Sequence, residues 1–192
     1  MLVIGITGTL GAGKGTLVDY LVHEKGYQHF SVRQFLIQEI EQRKLIVNRD
    51  SMTKVANELR QKHHPAYIIE KLYEKASMQG NRAIIESIRT PGEVAFLRNE
   101  GNFFLLAVDA NPKVRYARIQ TRASETDQVD YDTFLSNETR EMTTTDPNKQ
   151  NLSKCIQLAD FRLNNDGTKE QLLKQMETVL NQISSEETTK AK

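Results

Sequence analysis

The stretch Leu2-Val3-Ile4-Gly5-Ile6-Thr7-Gly8-Thr9-Leu10-Gly11-Ala12-Gly13-Lys14-Gly15-Thr16-Leu17-Val18 decides the reading of the chain. Leu2–Ile6 is a short apolar run suited to a strand covered on both faces. Leu17, Val18, Leu21 and Val22 then repeat at helical spacing, so a helix is expected over Lys14–Lys25. A strand, a glycine-rich turn, a lysine and a helix make the context that a phosphate-binding loop demands. Glycines let backbone N–H groups converge on phosphate oxygens with no Cβ in the way. The helix N-terminus adds a partial positive charge, and Lys14 reaches the terminal phosphates. Gly8, Leu10, Gly11, Ala12, Gly13, Lys14, Gly15 and Thr16 are therefore the candidate contacts for ATP or GTP. The hydroxyl that usually follows the lysine is displaced by one position, because Gly15 stands there and Thr16 comes next. Mg²⁺ is accordingly expected to lie among phosphates, waters and a carboxylate, with Thr16 and Glu86 as the protein's candidates.

Outward from this loop, four further runs read as strands: Gln28–Ser31, Ala83–Glu86, Phe103–Val108 and Phe161–Leu163. Helical stripes lie between them, among them Ile68, Ile69, Leu72, Tyr73 and Ala76, and at the end Leu172, Leu173, Met176, Val179, Leu180 and Ile183. Strands alternating with helices predict an α/β fold of three layers, α/β/α, around a five-stranded parallel sheet. At 192 residues the chain fits one domain, expected over 1–183, with 184–192 as a frayed polar tail. Residues 123–150 are polar and acidic, and are expected to form a lid-like insertion or, more simply, a surface excursion with one helix.

Lys plus Arg total 26 against 25 for Asp plus Glu, a net charge of +1, which argues against a broad grip on nucleic acid or an anionic membrane. No apolar run approaches the ~20 residues of a membrane span. The first residues carry no basic region, so no signal peptide is expected, and the lone Cys155 suits a reducing, cytoplasmic setting. His63 and His64 are adjacent and make a poor metal pair, and no zinc spacing occurs.

A second site is expected opposite the loop. In Ala83-Ile84-Ile85-Glu86-Ser87-Ile88-Arg89-Thr90-Pro91-Gly92-Glu93 a buried strand ends in a carboxylate, followed by an arginine and a helix opened by proline. Glu86 is placed to order the waters of Mg²⁺, and Arg89 to clamp a phosphate bidentately. In Asn48-Arg49-Asp50-Ser51, Asp50 or Ser51 looks like a helix cap, and Arg49 is either at the mouth of the acceptor cleft or paired with Asp50. Arg115, Arg118 and Arg122 fall at i, i+3 and i+7, one face of a helix.

The Gly8–Thr16 loop, in its GxxGxGKGT form, resembles that of adenylate kinase and other nucleoside monophosphate kinases. The segment from Glu86 to Glu93 is similar to the acid–x–x–Arg–x–x–x–Glu pattern of deoxynucleoside monophosphate kinases, which more often carry Asp where Glu86 stands. The resemblance implies a P-loop kinase fold. It also implies that Ser31 and Arg33 meet the acceptor's phosphate with Arg49 and Arg89, and that Arg118 and Arg122, flanking the lid, close over the transferring phosphoryl group. The last strand and the turn Asn165-Asp166-Gly167-Thr168 are similar to those of dephospho-coenzyme A kinase; this turn either touches the base through backbone groups or simply caps the last helix.

The expected function is phosphoryl transfer from ATP, with Mg²⁺, to a small nucleotide acceptor, a nucleoside or deoxynucleoside monophosphate. A monophosphate is already an anionic nucleophile and needs arginines rather than a general base. A hydroxyl acceptor benefits from a carboxylate, and Phe30 to Leu36 contains none, although Glu86 or Asp50 remains available. The alternatives are a dephospho-coenzyme A kinase-like enzyme and a nucleotide-binding regulatory protein without transfer activity.

Overall fold

In a computed structural model, which describes residues 1–122 and 129–190, the elements run β1 (Leu2–Gly8), α1 (Lys14–Lys25), β2 (Gln28–Ser31), α2 (Val32–Gln42), α3 (Arg49–Lys62), α4 (Tyr67–Ser77), β3 (Arg82–Glu86), α5 (Pro91–Asn99), β4 (Phe103–Asp109), α6 (Pro112–Arg122), α7 (Tyr131–Met142), α8 (Leu152–Gln157), β5 (Phe161–Asn164) and α9 (Lys169–Lys190). The strands form one parallel sheet in the order β2-β3-β1-β4-β5. All five predicted strands are present; β1 and β4 run one or two residues further than their apolar runs.

Alternation along β1 sorts the core into two halves. Val3 joins Phe30, Ile85 and Leu105 under α2, α3, α4, α5 and Cys155 of α8. Leu2, Ile4 and Ile6 join Ile84, Leu106 and Val108 under α1 and α9. Each fully buried aliphatic side chain contributes about 1.5–3 kcal/mol relative to exposure, so both faces of the sheet need helical cover and the three-layer arrangement follows.

Two expectations change. The residues taken as a polar tail continue α9 as far as Lys190, and Glu187 holds the Asn102 amide at 2.5 Å. The cap of α3 is Asn48, not Asp50 or Ser51: its side chain accepts from Ser51 N, while Ser51 returns a bond to the Asn48 N–H. Ser31 caps α2 as expected. Of the proposed insertion, residues 123–128 lie outside the described residues; the rest contains α7, whose Phe134 is buried against Tyr116 of α6. No helix among the described residues is long and apolar enough to cross a membrane.

Candidate functional site

The carboxyl ends of β1, β3 and β4 meet at the loop between β1 and α1. Positive φ at Gly8, Gly11 and Gly13 lets the loop curl over the strand end. Close approach forbids a side chain there: a Cβ on Gly8 falls on the Val108 carbonyl oxygen, and one on Gly13 falls on Asn165 Nδ2. The loop is braced from outside. Asn165 donates to the Ala12 carbonyl at 2.8 Å, and Thr9 Oγ1 donates to Asp109 at 2.5 Å. Arg115, 2% exposed, donates to the carbonyls of Ala110 and Leu10 and pairs with Glu138 of α7.

A cavity of about 700 Å³ opens from the loop across to α2 and α3. On the loop side it is lined by Leu10, Gly11, Gly13, Lys14, Gly15 and Thr16. Lys14 Nζ donates to the Gly8 and Thr9 carbonyls, both at 2.8 Å. Burial first, and then the nearby Arg89, pull its pKa down to about 7, against the attraction of Glu86 and Glu141.

Opposite the loop stand Arg33, Arg49, Glu86 and Arg89, joined by Arg118 and Arg122 of α6. Glu86 ends β3 at the cavity wall. Its Oε1 accepts from Ser31 Oγ at 3.1 Å and lies 3.7 Å from His29 Nε2. Burial opposes its charge, but His29, Lys14 and Ser31 outweigh that and hold its pKa below the ordinary value. Ser87, next in the chain, takes a left-handed φ of 66°, a strained backbone of the kind found at strand ends beside functional sites. The turn returns Ile88 N to the Ile6 carbonyl at 3.2 Å.

Arg49 and Arg89 converge on one carboxylate. Glu141 Oε1 accepts from Arg49 at 2.8 Å, and Oε2 from Arg89 at 2.5 Å. Gln150 takes a further Arg89 bond at 2.8 Å. Burial would raise the pKa of Glu141, but the two guanidinium groups hold it at about 2. Two arginines that clasp a carboxylate also present the geometry that clasps a phosphate.

A profile described as AAA domain matches residues 4–145. A UPF0200 protein of Pyrobaculum aerophilum is 31% identical over 141 residues, which cover 73% of this chain and 77% of that protein. The chain is an AAA-domain protein of the UPF0200 family. A UPF0200 protein of Methanococcus vannielii is 28% identical over 187 residues, 95% of this chain and 97% of that one. Among solved structures, a gluconokinase from Sinorhizobium meliloti aligns with a TM-score of 0.63 at 11% identity, covering 100% of this chain and 98% of that chain. The UPF0200 chain thus has the α/β P-loop kinase fold.

The residues marked in the sequence of this UPF0200 protein fall into three groups. Lys14, Thr16, Arg33, Arg49, Glu86, Arg89, Arg118 and Arg122 share the cavity. Gly8, Ala12 and Ser31 stand behind it: the first two turn carbonyls to Lys14 and Asn165, and Ser31 supports Glu86. Arg115 leaves the shared arginine face to brace the loop. Arg49 pairs with Glu141 rather than with Asp50. Asn165 serves the loop through its side chain. Thr16 and Glu86 give a hydroxyl and an ionised carboxylate, hard oxygen donors that suit Mg²⁺ held mainly by phosphates and water. Among the cavity residues that the sequence did not point to are Asp19, Gln150, Arg60 and Glu141. A signal for Arg60 exists: it lies four residues after the buried Ala56, on the apolar side of α3.

Proposed function

We propose that this protein is an ATP-dependent phosphotransferase whose acceptor is a nucleoside or deoxynucleoside monophosphate. The observation that carries this reading is the clasp of Arg49 and Arg89 on one carboxylate, in the same cavity as the phosphate loop. An acceptor phosphate takes the place of the Glu141 carboxylate when α7 releases it.

In this reading the loop amides and Lys14 hold the β- and γ-phosphates of the donor. Arg33, Arg49 and Arg89 hold the acceptor and offset the repulsion between two anions. An acceptor phosphate oxygen forms a bond to the γ-phosphorus while the bond from that phosphorus to the β–γ bridging oxygen breaks, leaving ADP. No proton need move. Arg118 and Arg122 neutralise charge on the transferring group. Mg²⁺, held beside Thr16 and Glu86, supplies charge neutralisation on the phosphates when bound. Glu86 is a weak base because His29, Lys14 and Ser31 favour its ionised form, which supports an acceptor that needs none.

The test is a panel of ribo- and deoxynucleoside monophosphates, with dephospho-coenzyme A as the hydroxyl acceptor, each with ATP and Mg²⁺. A monophosphate is expected to be converted to its diphosphate. Arg89→Ala is expected to lose acceptor-dependent turnover by a factor of about 10² or more while keeping ATP affinity. Tight ATP binding with no acceptor phosphorylated would favour the regulatory reading. Turnover of dephospho-coenzyme A alone would favour a hydroxyl kinase.

A further inference from the structure

We propose that Arg60 is a specificity-determining residue of the acceptor site: its free Nη1 donates to a ring carbonyl, selecting nucleobases that carry an oxo group over those that carry an amino group in the same place. The inference rests on the monophosphate-acceptor reading above.

Arg60 is 1% exposed and yet lines the cavity. Its Nε and Nη2 both donate to Glu93 Oε1, at 3.1 and 2.8 Å. The guanidinium group is planar, so Nη1 is turned away from that carboxylate. Nη1 is buried and has no hydrogen-bond partner among the described residues. A buried donor without an acceptor is costly, and a native structure that keeps one calls for an explanation. A ligand oxygen in the cavity supplies it.

Charge decides what kind of oxygen. Glu93 is itself 0% exposed and fixed by Arg89 N at 2.7 Å and Thr90 N at 3.0 Å, so it neutralises Arg60 in place. The pair therefore offers a directed N–H with no net charge, suited to a carbonyl. Phosphate is better served by Arg49 and Arg89. The lining of the same cavity includes Val32, Leu36, Met52 and Ala56, an apolar surface fit for a planar ring. Through Glu93, the Arg60 side chain and the Arg89 backbone share one carboxylate, so ring pocket and phosphate clasp are neighbours. An amino group on the ring would set N–H against N–H where water is excluded, which a polar site of this kind rejects strongly.

The experiment uses acceptor pairs that exchange the oxo group for an amino group, and with it the adjacent ring N–H for a bare nitrogen, UMP against CMP and IMP against AMP, with ATP, Mg²⁺ and the full chain. The wild-type kcat/KM is expected to favour the oxo member by about tenfold to a hundredfold. Arg60→Met with Glu93→Gln removes both charges together, so no buried carboxylate is left unpaired. That double variant is expected to bring both ratios to within about threefold of one, with KM for ATP unmoved. Arg60→Lys keeps the charge without the planar fork and is expected to fold and to lose the same selectivity. Wild-type ratios near one or favouring the amino member, or ratios that survive in the double variant, overturn the role of Arg60 and leave phosphotransfer standing. Failure of the wild type to phosphorylate any of these four or any other member of the ribo- and deoxynucleoside monophosphate panel overturns the acceptor reading, and this inference with it.

Discussion

Replacing Glu141 with Gln should tighten acceptor binding while weakening the fold. The carboxylate is held at a pKa of about 2 against an ordinary 4.5. At 1.36 kcal/mol per unit, the net of burial and the two arginines favours its charged form by roughly 3 kcal/mol. The two arginine side chains keep 19% and 20% exposure, so solvent screening cuts the recoverable part to about 1–2 kcal/mol. A ligand anion must displace this carboxylate, so the variant is expected to bind UMP about tenfold more tightly in a calorimetric titration without ATP. Its melting temperature is expected to fall by about 2–8 °C, because two partly buried cations lose their counter-charge. The pH sign follows from linkage. The folded pKa lies below the unfolded one, so this stability is complete above about pH 4.5 and is lost as pH falls towards 2. Urea midpoints measured across that window should slope in the wild type more than in the variant. Weaker UMP binding by Glu141→Gln would refute the reasoning, since it would make Glu141 a support that holds the arginines in place rather than a competitor.

Lys14, at a pKa of about 7, is about nine-tenths neutral at pH 8. Triphosphate binding restores its charge, so calorimetry in buffers of different ionisation heat should record close to one proton taken up per site. Lys14→Arg, which stays charged, should abolish that buffer dependence, and a wild-type heat independent of buffer contradicts the assignment. Because the unfolded chain holds the Lys14 proton up to about pH 10.5, this residue's contribution to stability rises with pH between about 7 and 10.5. Gly8→Ala forces a Cβ onto the Val108 carbonyl at a φ of 142°, and should lower the melting temperature by more than about 5 °C. Gly15→Ser meets nothing within 4 Å and should melt within about 2 °C of the wild type.

The sheet, the phosphate loop and the position of Arg89 were readable because each rests on local pattern: apolar runs, glycine spacing, a charge after a strand end. Arg33 is reached only through the resemblance to nucleoside monophosphate kinases, and the sequence leaves Arg49 open between the cleft and Asp50. Glu141 was not, because its meaning is a contact with Arg89 52 residues away, and α7 reads alone as a solvated acidic helix. Two carboxylates of the acidic insertion, Glu138 and Glu141, neutralise arginines around the site. Arg60 was hidden for the same reason. Its partner Glu93 is 33 residues further on, and Thr90-x-x-Glu93 is a capping box that already gives the glutamate a local role. Arg115 stood in register with Arg118 and Arg122, and only three-dimensional packing separates the brace from the cavity lining.

Because the Glu141 carboxylate belongs to the same chain as the two guanidinium groups it covers, it is present at an effective concentration on the order of millimolar or more. Chloride, carbonate and free phosphate, with no hold outside the arginine clasp, compete poorly against such a tethered rival. A molecule that brings both an anion and a flat apolar body has a second hold along the α2–α3 wall and can prevail. The acidic helix thus acts as a sieve that closes the arginines to small ions and yields them to larger ligands.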